Sequence, residues 1–172
     1  MNKKKLSSIK LLLLDVDGVL TDGKIIYTES GQEIKEFNAK DGLGIRLLMD
    51  CGIKVGIITA RKSNALTQRC KNLGIELLFD GIEDKVKAFN MILKKTGVSA
   101  AQTAFAGDDL LDLGVMKLCG LSISPADAHP YIRNYSDIVT RQKGGQGAVR
   151  EICDEILQAQ GKLESIINRY LK

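Results

Sequence analysis

The chain has 172 residues, 44% hydrophobic and 27% charged, the balance of a folded domain rather than a disordered one. Aromatic residues are only 5% and Trp is absent, which argues against a stacking platform for single-stranded nucleic acid and against an interfacial aromatic belt. The net charge of +4 is mild and lies partly in Lys3, Lys4 and Lys5, which read as a solvated tail; a small anionic substrate suits this balance, and no nucleic-acid partner is expected.

In chain order, the first apolar run, 11–14, is cut by Lys10 and Asp15. It is too short for a signal peptide or a membrane span, so a cytoplasmic protein is expected. Residues 9–16 read instead as a strand buried on both faces, the mark of a parallel sheet. A β-hairpin follows over 24–37, with Thr28-Glu29-Ser30-Gly31 as its turn. Helical patterns at 42–51, 64–73 and 84–95 then alternate with strands at 54–58, 76–79, 103–106 and 120–123, with a weaker strand over 137–140. This alternation predicts an α/β fold with a doubly wound, mostly parallel sheet and an inserted hairpin. Gly144-Gly145-Gln146-Gly147 reads as a flexible hinge before one long helical pattern over 148–171. With no repeats and only two prolines, residues 1–172 are expected to form a single domain. Cys51, Cys70, Cys119 and Cys153 lack metal-binding spacing and predict free thiols in a reducing compartment.

Four stretches fall just after a strand or at a helix start. Strand C-termini of an open parallel sheet share one edge, so residues distant in sequence can meet there. Asp15-Val16-Asp17-Gly18 places two carboxylates at i and i+2, suited to a divided task of nucleophile and general acid/base. Thr59, ending the strand at 54–58, can hold a phosphate oxygen together with amides of the coming helix. Lys85 opens a helix against the dipole, which predicts that it reaches for an anion. In Gly107-Asp108-Asp109-Leu110-Leu111-Asp112, the carboxylates at i and i+4 share a helical face and suit Mg²⁺. Singly, each has an ordinary reading as a turn, a helix cap or a surface charge. Jointly, they predict magnesium-dependent phosphoryl transfer.

The order D-x-D-G-V-x-T-D, then Thr59, then Lys85, then G-D-D-x-x-D resembles the haloacid dehalogenase superfamily of phosphohydrolases. The whole chain is similar to one family within it, the 3-deoxy-D-manno-octulosonate 8-phosphate phosphatases, through Phe37-Asn38-Ala39-Lys40-Asp41-Gly42, Ala126-Asp127-Ala128-His129-Pro130 and the stretch from Gly144 to Glu151. The resemblance implies Asp15 as nucleophile and Asp17 as acid/base. It implies Mg²⁺ on Asp15, the Asp17 backbone carbonyl and Asp108, with Thr59 and Lys85 on the phosphate. Asp109 and Asp112 are supporting residues, one of them orienting Lys85 or a metal-bound water. It also implies a role in lipopolysaccharide core-sugar synthesis, and a homotetramer in which packed hairpins and C-terminal tails complete a neighbour's site.

The intervals from Asp15 to Thr59 and from Thr59 to Lys85 leave no room for the cap domain that many relatives insert, so an open site needs another lid. Either a macromolecular substrate or a neighbouring subunit would close it. Arg61 is placed to bind a substrate carboxylate bidentately, with Lys40, Arg69 and Arg150 as further candidates for a small sugar-acid phosphate. The nearest rival function is a nine-carbon sugar-acid 9-phosphate phosphatase, whose members tend to carry Glu where Arg61 stands; Ala60 replaces a Gly common in both groups. Two rivals belong to different classes: a receiver-type signalling module, and a non-catalytic phosphate-binding or assembly domain. His129 reads as structural.

Overall fold

In the computed structural model, which describes residues 2–171, β1 (Leu11–Leu14) is four consecutive leucines with no exposed surface. Side chains alternate across a strand, so Leu12 and Leu14 enter one core while Leu11 and Leu13 enter another. A strand without a polar face belongs in the middle of a sheet. β4 (Lys54–Ile58) and β6 (Thr103–Ala106) flank it in parallel. With β5 (Leu77–Phe79), β7 (Leu121–Ser124) and β8 (Ile138–Val139) the order is β5-β4-β1-β6-β7-β8, and every pairing is parallel. Truncating Leu12 or Leu14 to Ala would cost about 2–5 kcal/mol.

Helices cover both faces, as the doubly wound reading requires. One layer holds α1 (Asn2–Ser7), α2 (Ala39–Asp50), α3 (Asn64–Leu73), α7 (Ala148–Ala159) and α8 (Leu163–Tyr170), packed through Leu6, Ile45, Leu66, Ile152 and Ile166. The other holds α4 (Lys85–Thr96), α5 (Leu113–Leu118) and α6 (Pro130–Tyr135), packed through Phe89, Ile92, Val115 and Ile132. The hairpin is present as β2 (Ile26–Tyr27) and β3 (Glu33–Ile34), an antiparallel pair in a sheet of its own. Only this hairpin and α2 separate β1 from β4, and only α3 separates β4 from β5, so no cap domain is inserted.

Three expectations are corrected. Residues 148–171 form two helices, because Gly161 adopts φ +68 and breaks the run. Lys3, Lys4 and Lys5 lie in α1 rather than in a free tail: Leu6 is buried, and Lys5 Nζ pairs with Asp137 at 2.7 Å. The glycine segment is packed, not slack. A Cβ on Gly144 would lie 1.8 Å from the Gly18 carbonyl oxygen, and the Gly145 N–H donates to the Val19 carbonyl at 3.0 Å.

The segment then enters α7 through Gly147, which has no side chain to cap the helix. Asp41 of α2, itself buried, supplies the missing acceptor: its Oδ1 receives the Arg150 N–H at 2.7 Å. The free cysteines follow expectation, with Cys70 and Cys153 buried and Cys51 and Cys119 half-buried. His129 is structural, its Nδ1 accepting the Tyr131 N–H at 3.2 Å at the start of α6.

Candidate active site

The strand order reverses about β1, and the ends of β1, β4 and β6 meet there with the start of α4. Asp15, Asp17, Thr59, Arg61, Lys85 and Asp108 line a cavity of about 260 Å³ at that edge. A larger cavity of about 390 Å³, between the opposite ends of β4 and β5, is lined by Met49, Ile53, Val55 and Leu77 and gathers no carboxylate cluster. Chemistry, not size, singles out the first.

Asp15 follows β1 directly, its N–H donating to the Ala106 carbonyl at 2.9 Å. Lys85, the first residue of α4, is buried and reaches Asp15 Oδ1 at 2.8 Å and Asp112 Oδ1 at 2.6 Å. The expected anion for this ammonium is thus present within the protein. Burial pushes the Asp15 carboxyl up to about 6, and the charge of Asp112 adds to this while Lys85 pulls the other way. Burial also opposes the Lys85 charge, yet Asp15 and Asp112 outweigh it and hold the ammonium pKa above its ordinary value.

The two supporting aspartates separate into distinct tasks. Asp112, almost fully buried, orients Lys85 through Oδ1 and receives the N–H groups of Asp108 and Asp109 on Oδ2 at 3.0 and 3.3 Å. Asp109 is exposed and caps the turn Leu110–Asp112, receiving the Leu110 N–H at 2.7 Å. One buried carboxylate thereby fixes both the cation and the loop that carries Asp108.

Oxygens of Asp15, Asp108 and Asp112 lie within 4.8 Å of one another. Burial, and then Asp15 and Asp112, push the Asp108 carboxyl up to about 8. Lys85 is the one cation paired with this crowd among the described residues. Hard oxygen donors and an excess of negative charge fit a divalent cation. Gly18, at φ +89, admits this geometry, since a Cβ there would sit 2.0 Å from Asp108 Oδ2. The Asp17 carboxylate lies outside this cluster, its Oδ1 paired with Lys35, whereas Asp112 lies within it.

Thr59 is buried and held at both backbone groups, its N–H by the Phe79 carbonyl and its carbonyl by the Ile82 N–H, each at 3.0 Å. The amides expected from an adjoining helix are instead those of a loop, because α3 begins only at Asn64, capped by Ser63. The Arg61 N–H turns back toward Thr59 Oγ1 at 3.4 Å.

Sequence reasoning missed Glu33 and Lys35. Lys35 pairs with Asp17 Oδ1, and its side chain is only 3% exposed. Glu33 lies 3.4 Å from Lys35 Nζ through Oε1 and pairs closely with Arg61, which also donates to the Tyr27 hydroxyl at 3.2 Å. Arg61 Nε stands 3.7 Å from Asp17 Oδ2 and, although buried, makes no hydrogen bond. The hairpin therefore turns charge inward onto its own chain's site, while Ile26, Tyr27 and Ile34 are exposed on it. The period-2 spacing of Glu33, Ile34 and Lys35 was the available signal.

Of the proposed substrate-binding residues, Arg61 alone lines the cavity. Lys40 and Arg150 border a separate groove beside α7. Arg69 donates to the Asn38 carbonyl at 3.1 Å with its guanidinium 5.9 Å from the Phe37 ring centre, and Arg150 Nε pairs with Asp154 at 2.9 Å.

Residues 81–152 match the haloacid dehalogenase-like hydrolase family. The 3-deoxy-D-manno-octulosonate 8-phosphate phosphatase of Escherichia coli strain K12 is 49% identical over 93% of this chain and 85% of its own length. Among solved structures, the Moraxella catarrhalis phosphatase of that name, in complex with magnesium, phosphate and KDO, superposes with a TM-score of 0.95 at 41% identity, covering 98% of this chain and 97% of that one. The cobalt-bound Haemophilus influenzae phosphatase gives 0.93 at 46% identity, covering 98% and 99%. The chain belongs to the 3-deoxy-D-manno-octulosonate 8-phosphate phosphatase family of haloacid dehalogenase-like hydrolases, and it is a phosphoric monoester hydrolase.

Proposed function

We propose that this chain, acting as a single domain over 1–172, hydrolyses 3-deoxy-D-manno-octulosonate 8-phosphate through an aspartyl-phosphate on Asp15. The observation that carries the chemistry is the Lys85 ammonium held 2.8 Å from Asp15, beside Thr59 and Asp17 in one cavity. Asp15 attacks phosphorus, and the bond to the sugar oxygen breaks as Asp17 gives that oxygen a proton. Asp17 then takes a proton from water, which attacks the aspartyl-phosphate and frees Asp15. Thr59 and Lys85 hold the phosphoryl oxygens throughout. A magnesium ion on Asp15, Asp108 and the Asp17 carbonyl supplies, when bound, charge that offsets the repulsion between nucleophile and phosphate.

The magnesium, phosphate and KDO of the Moraxella catarrhalis complex support both the cation and the sugar-acid substrate. Arg61 binds the substrate carboxylate, a role favoured by its place on the cavity wall beside Asp17 and Thr59. The exposed Ile26, Tyr27 and Ile34 of the hairpin favour a homotetramer built through that face. Lys40, Arg69 and Arg150 are proposed to act in a neighbour's site, Lys40 and Arg150 from the groove beside α7. Lipopolysaccharide core-sugar synthesis in the cytoplasm is the setting this reading implies; no helix among the described residues is long and apolar enough to cross a membrane.

The test is magnesium-dependent phosphate release from this substrate, from 2-keto-3-deoxynonulosonate 9-phosphate and from an aryl phosphate. Strong preference for the eight-carbon ester, abolished in Asp15→Asn, is the expected result. Preference for the nine-carbon ester would overturn the substrate assignment and leave the mechanism standing.

A further inference from the structure

We infer that Lys35 is a positioning residue for the acid/base step, acting through Asp17 and never on the substrate itself; this rests on the proposed role of Asp17. Lys35 is carried by the hairpin rather than by the sheet, and its ammonium is bound to Asp17 Oδ1 with its side chain 3% exposed. Asp17 and Arg61 line the cavity, whereas Lys35 does not. The ammonium thus grips the carboxylate from behind.

Two features make this grip directional. Asp17 Oδ1 is engaged by Lys35, while Oδ2 faces the Arg61 guanidinium on the cavity wall, 3.7 Å from Nε. The two oxygens are therefore distinguishable, and Oδ2 is the one available to exchange a proton with the leaving oxygen. Glu33 Oε1 lies 3.4 Å from Lys35 Nζ, so the ammonium is held between two carboxylates. Without the ammonium, the Asp17 carboxylate would be free to swing toward any cation held by Asp15 and Asp108, and its proton would leave the line of the breaking bond. A misplacement of about 1 Å at such a step costs on the order of 100-fold in rate.

Leaving-group chemistry separates proton delivery from everything else. A sugar alkoxide needs the proton as the phosphorus–oxygen bond breaks; p-nitrophenolate departs readily without it. In single-turnover measurements of leaving-group release, which read the first displacement alone, Lys35→Met should lower the alkyl-to-aryl rate ratio by at least about tenfold. Lys35→Arg should restore part of that ratio, and KM should shift far less than kcat. The aryl substrate reports that each variant is folded. Asp17→Asn, run alongside, should lower the same ratio. An unchanged ratio in Lys35→Met with a lowered ratio in Asp17→Asn would overturn the role of Lys35 and leave the acid/base reading intact. An unchanged ratio in Asp17→Asn would overturn that reading, and the inference with it.

Discussion

The two walls of the cavity are built by different physics. Asp15, Thr59 and Asp108 follow the buried strands β1, β4 and β6, and Lys85 and Asp112 are locked between them with almost no exposed surface. Glu33 and Lys35 come from a hairpin with strands of two residues each, whose Ile26, Tyr27 and Ile34 are exposed. The first wall is positioned by the hydrophobic core, which is close-packed and yields little. The second is held by ion pairs that bridge a small sheet to a large one. Under the proposed mechanism, attack on phosphorus belongs to the stiff wall, whereas Asp17 and Arg61, proposed for proton delivery and substrate binding, are held by the ion pairs of the second.

The largest effect should come from breaking the stiff wall at Asp112. Asp112→Ala removes one of the two partners of Lys85 and leaves the Asp108 and Asp109 amides without their acceptor. A loss of about 3–5 kcal/mol in stability is expected from denaturant unfolding. A fall in kcat on the order of 100-fold should accompany it. An Asp112→Ala enzyme of ordinary stability and rate would erase the distinction between the walls.

An intermediate effect should come from pH and metal. Asp15 at about 6 and Asp108 at about 8 both sit above the unfolded value of 3.8, so the metal-free folded state binds more protons than the unfolded chain across that window. Stability gained by protonation is fully present below about pH 4 and is lost as pH rises toward 8. Thermal melting in chelator should therefore lose ground across this range, and added Mg²⁺ should restore more at about pH 8 than at about pH 5. A magnesium effect independent of pH would contradict the picture of a carboxyl crowd awaiting a cation.

The smallest effect belongs to Glu33→Gln, which loosens Arg61 without touching the carboxylate cluster. KM for a sugar-acid phosphate should fall by about two- to fivefold, the worth of a partly exposed ion pair, with little change for an aryl phosphate. A rise in KM would mean that Glu33 aligns Arg61 rather than competing for it.

What is legible in the sequence follows the same division. Four leucines in a row announce a central strand, and carboxylates or hydroxyls at strand ends announce a shared edge, because both signals are local. Lys35 shares its strand face with Glu33 by period 2, but nothing in a charged hairpin strand says which sheet that face will lean against. The glycines at 144, 145 and 147 read as slack because permissive backbone and close packing call for the same residue. Only the distance from Gly144 to Gly18 tells them apart. Gly161 carries the signal for the break between α7 and α8, but the apolar spacing on either side masks it.

The contact of Gly144 with Gly18 also sets an order of events during synthesis. The loop after β1 emerges from the ribosome early, yet the backbone that packs on it, and the α7 side chains Val149, Ile152 and Ile156 that share a core with it, emerge more than a hundred residues later. Domains complete themselves only when such distant segments arrive. The nascent chain can pair β1 with β4 long before the backbone that packs on the loop carrying Asp17 has been made.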